Sequence, residues 1–168
     1  MFRGSRDAFT SHAFHARCDG IENTVIIIKS NLDHVFGGFT SARWNLNSLF
    51  IRDPNAFLFR LRRKGLTLGQ KFKVTKPEFA IRGAQYANRG ESYYGPTFGD
   101  GYDIYIRTNS NNYDTLNNGG WTPNYSSFGN SYELPQGYKI GTEEANSYLA
   151  GASTNWFTDE IEVYQIFF

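Results

Sequence analysis

Fifteen residues, Gly90-Glu-Ser-Tyr-Tyr-Gly-Pro-Thr-Phe-Gly-Asp-Gly-Tyr-Asp-Ile104, constrain this chain more than any other segment. They set four glycines, one proline and four aromatic rings directly before the alternating run Asp103-Ile-Tyr-Ile-Arg107. Glycine admits torsions and close approaches that a side chain would block, so such density suits a tightly folded path inside a β-rich domain. Neither Gly37-Gly38 nor Gly99-Asp-Gly101 has the spacing of a nucleotide-phosphate cradle.

A chain of 168 residues is most simply one domain. It can bury about 70% of its extended surface. Fifteen Phe, eleven Tyr and three Trp supply a large aromatic payload for its core and clefts. The formal net charge of +1 gives no strong field for nucleic acid. A single cysteine, Cys18, excludes an intrachain disulfide scaffold and a C-x-x-C redox pair. The longest apolar run, Val25-Ile-Ile-Ile28, is far too short to span a bilayer. Met1-Phe-Arg-Gly4 lacks the apolar stretch of a signal peptide, and the single cysteine makes a cytoplasmic setting the expectation.

Strand signals dominate. Thr24-Val-Ile-Ile-Ile-Lys-Ser30 is too β-branched for a solvated helix and reads as a buried strand, followed by a turn at Asn31–His34 and a returning strand over Val35–Phe39. Further strands are expected at Ala56–Leu61, Lys71–Thr75, Phe79–Ile81, Ser92–Tyr94, Asp103–Arg107 and within Asn155–Ile166. Arg62-Arg-Lys64 is expected to end the first of these, with Gly65 and Gly69 in a flexible connection. Short helices are expected at Ser11–Cys18, capped by Thr10 or Ser11, and within Gly141–Leu149, capped by Thr142. Thr108–Gly120 reads as a polar surface loop. Many short strands and few helices predict a mainly-β, two-sheet antiparallel β-sandwich with short flanking helices.

Candidate chemistry has an ordinary explanation at each position. His12, His15 and Cys18 advance by three along a helix, and Asp19 or His34 could complete a zinc shell, but focusing three such donors on one ion would distort the helix. A buried Cys18 with histidines on the helix surface is the plainer reading. Ser11, His15 and Glu22 form a triad only on paper, without a nucleophile elbow or oxyanion loop. Asp100 and Asp103 could hold calcium, but read more simply as turn former and amide cap. Arg60, Arg62, Arg63 and Lys64 form the strongest basic patch; strand alternation sets Arg60 with Arg62 and Arg63 opposite. Glu160 and Glu162 share one strand face and Ile161 and Val163 the other. No catalytic residue, metal ligand or cofactor is assigned. Arg62, Arg63, Asp100, Asp103, Glu160 and Glu162 are the exposed candidates for contact with a partner.

Gly4-Ser-Arg-Asp-Ala-Phe9, Phe14-His-Ala-Arg-Cys-Asp19, Thr24-Val-Ile-Ile-Ile-Lys29, Val35-Phe-Gly-Gly-Phe39, Trp44, Asp53-Pro-Asn-Ala-Phe-Leu-Phe59, Gly95–Ile104, Ser131-Tyr-Glu-Leu134 and Glu160-Ile-Glu-Val-Tyr164 together resemble the TLDc domain family, in order and across almost the whole chain. The resemblance implies a β-sandwich with helices at its sides. It also implies a setting of oxidative-stress protection and, from several relatives, interaction with the vacuolar proton-pumping ATPase. On that footing the chain is expected to be one TLDc-like domain, residues 1–168, of a larger protein, beginning near the domain boundary. Its expected role is a non-catalytic protein-interaction module, cytoplasmic and recruited to endosomal or vacuolar membranes through its partner, with no nucleic acid. The alternatives are an antioxidant or metal-dependent enzyme, or a module binding a small ligand or glycan.

Overall fold

The computed structural model describes residues 1–45, 47–83, 94–112 and 124–168. In chain order the strands are β1 (Phe2–Arg3), β2 (Thr24–Ser30), β3 (His34–Thr40), β4 (Phe50–Ile51), β5 (Phe57–Arg63), β6 (Leu66–Lys73), β7 (Ile81–Arg82), β8 (Tyr94–Phe98), β9 (Ile104–Arg107), β10 (Asn124–Tyr125) and β11 (Thr158–Gln165). The helices are α1 (Gly4–Asp7), α2 (Ser11–Cys18) and α3 (Glu143–Asn146). One sheet has the order β1-β11-β2-β3-β5-β6 and the other β10-β9-β8-β7-β4. Every named pairing is antiparallel.

Period-two burial explains the sandwich. Thr24, Ile26, Ile28 and Ser30 of β2 all face inward. Beside them, Ile161 of β11 pairs with Ile28, and Val163 pairs with Ile26. Ile104 and Ile106 of β9 enter the same apolar cluster from the second sheet. Burying each such side chain contributes about 1.5–3 kcal/mol. Trp44 packs edge-on against Phe14 of α2 at 5.2 Å and Phe98 of β8 at 5.7 Å. Its indole N–H, which would be costly to bury unpaired, donates to Thr24 Oγ1 at 2.9 Å. One aromatic side chain thus ties a helix to both sheets.

Gly37 lets β3 lie close against β2 within its own sheet, and Gly38 lets the two layers approach closely. A Cβ at Gly37 would lie 1.8 Å from the Ile26 carbonyl oxygen, and one at Gly38 would lie 2.6 Å from Phe98 Cζ of the facing sheet.

Helix α2 and strand β2 occupy the residues expected of them, and Thr10, not Ser11, caps α2: its side chain accepts from the Ala13 N–H at 3.1 Å. The β5–β6 connection differs from expectation. β5 continues through Arg63, and Lys64 (φ 45°) and Gly65 (φ 79°) form a two-residue hairpin turn, with Gly69 inside β6. Two successive positive φ values match the right-handed twist of the flanking strands, so the connection is tight. Phe79 lies in a 3₁₀ turn, Pro77–Phe79, and only Ile81 of the expected Phe79–Ile81 segment is in strand. The second expected helix shortens to α3, with Thr142 Oγ1 accepting from the Ala145 N–H at 3.3 Å. Ser92 and most of the Thr108–Gly120 loop lie outside the described residues.

Candidate functional site

Three regions carry the side chains expected to meet a partner. At the first, β11 lies beside β1, which brings Glu160 and Glu162 against Arg3. Arg3 Nε lies 3.0 Å from Glu160 and 3.4 Å from Glu162. Glu160 also accepts from the Ser5 N–H at 3.0 Å and the Ser5 hydroxyl at 2.5 Å. Burial alone would raise its pKa, but the bonds from Ser5 and Arg3 outweigh it and leave the carboxyl below its ordinary value. Glu162 accepts from the Tyr164 hydroxyl at 2.7 Å. Both carboxylates keep an exposed edge while being held in place from within.

The second region is the β5–β6 hairpin. A register irregularity between Arg60 and Arg62 breaks the simple alternation, because a bulge places an extra residue on one strand and re-aims the side chains after it. The expected pairing of Arg60 with Arg62 is therefore replaced. Arg60 and Arg63 line one cavity, while Arg62 pairs with Asp33 in the β2–β3 turn. Arg63 is exposed, and no ion pair among the described residues engages it.

The third region is the turn before β9. Gly99 (φ 82°), Gly101 (φ 84°) and Tyr102 (φ 67°) all take left-handed torsions. A Cβ at Gly99 would meet Asp103 Oδ2 at 2.0 Å, so glycine there makes room for the carboxylate. Asp103, expected at the surface, is fully buried. Its carboxylate accepts the backbone N–H groups of Gly129 (2.8 Å), Asn130 (3.0 Å) and Ser131 (2.9 Å). Burial pushes its pKa up to about 7, against the downward pull of those amides. Asp103 is a clamp on a distant loop and is not available to a partner. Asp100 remains exposed at the tip, its backbone N–H donating to Ser131 Oγ at 2.9 Å.

Helix α2 assembles no chemistry from His12, His15 and Cys18. His15, expected on the helix surface, is buried: Nδ1 lies 2.7 Å from Asp19 Oδ1 and Nε2 lies 2.9 Å from the Tyr94 carbonyl oxygen. With both ring nitrogens engaged, the imidazole cannot act as base for Ser11 without breaking a bond. Glu22, the third member of that triad, pairs with Arg43 at 3.1 Å. Cys18 is fully buried, as expected; burial, with help from Asp19, pushes its thiol up to about 12, far from a reactive thiolate. Among the described residues no group of three or more His, Cys, Asp or Glu side chains is placed to hold a metal ion.

Two arrangements escaped the sequence reading. Asp53 accepts from the hydroxyls of Thr40 and Ser41, each at 2.7 Å, and from the N–H groups of Ser41 and Asn55. Burial raises its pKa, but these donors outweigh burial and hold the carboxyl below its ordinary value. Arg82 donates to the Tyr102 hydroxyl at 3.1 Å and lies 4.9 Å from the Tyr94 ring and 5.1 Å from that of Tyr102. Both join residues from different elements, and no local spacing signals either one.

Two antiparallel sheets with a glycine-tight seam and short helices at their sides define a decorated β-sandwich. The family model of the TLDc domain matches residues 1–167, and the chain belongs to the TLDc domain family. No curated protein matches it. No helix among the described residues is long and apolar enough to cross a membrane.

Proposed function

We propose that the chain is a non-catalytic interaction module of oxidative-stress protection, which docks a protein partner through the charged ends of its sandwich. Its membership of the TLDc domain family supports the stress-associated role. The observation that carries the reading is the fate of the reactive side chains. His15, Cys18 and Asp103 are spent on internal bonds or sealed in the core, whereas Arg63 stands exposed at the end of β5 and Asp100 at a turn. A rim of this kind steers association and sets register more than it supplies raw affinity.

Arg62, Arg63, Asp100, Glu160 and Glu162 are the proposed contact residues, with Arg63 and Asp100 the least engaged within the fold. The partner class is a cytoplasmic protein assembly, and the peripheral sector of a vacuolar proton-pumping ATPase is the specific candidate. In that setting the domain is one module of a larger protein, drawn to endosomal or vacuolar membranes by the partner.

Crosslinking of the parent protein to its native partners, followed by Arg63→Glu and Asp100→Lys, tests this reading. The expected result is capture of a pump sector by the wild type and its loss on charge reversal. Capture unaffected by both reversals, or peroxide turnover by the purified domain, would overturn it.

A further inference from the structure

Where the β5–β6 hairpin meets the segment around α3, Arg60, Arg63, Lys64, His34, Tyr148 and Glu144 surround a cavity of about 200 Å³. Arg60 is 5% exposed, and its guanidinium lies 3.6 Å from the centre of the Tyr148 ring. Its Nε donates to Gln70 Oε1 at 3.0 Å and its Nη1 to the Tyr148 carbonyl oxygen at 2.8 Å. These bonds fix the plane of the fork and leave Nη2 without a partner among the described residues. No carboxylate pairs with Arg60, Arg63 or Lys64 among the described residues. Glu144, the acid in the lining, is exposed to solvent. A buried cation left without a counter-charge costs several kcal/mol unless something supplies one.

We propose that this cavity binds a phosphoryl group, taken from solution as phosphate or a phosphomonoester, or presented by a phosphorylated lipid headgroup. Arginine held in one plane by packing offers paired N–H donors that match oxyanion geometry, and Lys64 adds a mobile point charge at the mouth. His34 favours phosphate over other anions. Its Nδ1–H donates to the Leu149 carbonyl oxygen at 2.9 Å, which makes Nε2 the acceptor of the neutral ring. Burial lowers the His34 pKa, and the charges of Arg60, Arg63 and Lys64 push it the same way, outweighing the bond to Leu149. A phosphate that retains a proton can donate it to Nε2; sulfate, fully ionised, cannot. Gly151 (φ 96°) leaves this edge of the ring accessible, since a Cβ there would sit 3.0 Å from Nε2.

The test titrates the 168-residue chain with inorganic phosphate and with sulfate by calorimetry and ³¹P line broadening. A parallel arm measures sedimentation with phosphatidylcholine vesicles, with and without phosphatidylinositol 4-phosphate. We expect saturable phosphate binding that exceeds sulfate binding. Arg60→Gln should weaken it at least about tenfold, the loss of a charge-assisted bond. Arg63→Gln and Lys64→Gln, both exposed, should weaken it by about threefold each with folding intact by circular dichroism, and Glu144→Gln should tighten it. Vesicle binding that needs both the phosphorylated lipid and Arg63 assigns the group to a headgroup; phosphate binding without it assigns a soluble ligand. Absence of binding in every arm, equal affinity for sulfate, or affinity unchanged in Arg63→Gln and Lys64→Gln would overturn the proposal.

Discussion

Asp103 and Arg60 are both buried charges, one at the entry to the five-stranded sheet and the other within the six-stranded sheet. Among the described residues neither has an opposite charge beside it. Asp103 receives three backbone N–H groups from the Gly129–Ser131 turn, so the fold itself closes its carboxylate. Arg60 places two donors inside the protein and turns the rest of its fork to a cavity lined by two more cations. Burial therefore does not separate structural charges from ligand-facing ones; the destination of each donor and acceptor does.

The largest expected effect comes from removing the closed charge. Asp103→Ala leaves three amides unpaired, two of them in buried bonds, and should cost about 4 kcal/mol in urea unfolding. A loss below about 1 kcal/mol would mean that the turn re-pairs elsewhere and that the clamp is not structural.

A pH series separates Asp103 from Asp53. The Asp103 carboxyl is raised to about 7 when folded, against about 4 in an unfolded chain, so the native state holds the extra proton between these values. Its contribution is complete below pH of about 4 and fades as pH rises towards about 7. Asp53 is lowered, so its contribution is present above the unfolded value and is lost as pH falls. Thermal melts of the wild type and Asp103→Asn should differ in slope between those limits, with the fall in stability towards neutral pH absent from the variant. Identical slopes would show Asp103 ionised throughout.

Arg60→Met is the sharper probe of the open charge. An apolar side chain of similar length can occupy the face of Tyr148 without the cost of burying a cation, which offsets most of the cost of leaving the Tyr148 carbonyl without its donor, so stability should fall by no more than about 2 kcal/mol. Stabilisation by added phosphate should vanish, read as loss of the shift in Tm. Arg63→Gln is the mildest case: a change below about 0.5 kcal/mol in unfolding, with weaker phosphate binding. If it unfolds the domain, the exposed end of the hairpin is structural after all.

The regular elements were legible because their signals are local. Thr24–Ser30 announces a buried strand by its branched residues, and Thr10 followed by Ser11–Cys18 announces a capped helix. Family motifs spread along the chain supplied the architecture that no single segment carries. The charged sites were less legible, because their character depends on partners far away in sequence. Asp103 reads as an exposed cap of nearby amides, and the amides it caps prove to be those of residues 129–131, far away in sequence, which bury it. Arg60 and Arg62 look alike until an irregularity in β5 sends one to Tyr148 and the other to Asp33. His15 looks like a surface helix residue until β8 supplies the Tyr94 carbonyl.

Strand β11 lies between β1 and β2, although it follows β2 by more than a hundred residues in the chain. While a ribosome is still making residues 158–165, β2 has a neighbour along one side only, and its run of branched residues presents a bare row of amides and carbonyls on the other. The nascent domain is thus vulnerable to mispairing until residues 158–165 have been made and can reach β2, and a holding chaperone would act on it in that interval.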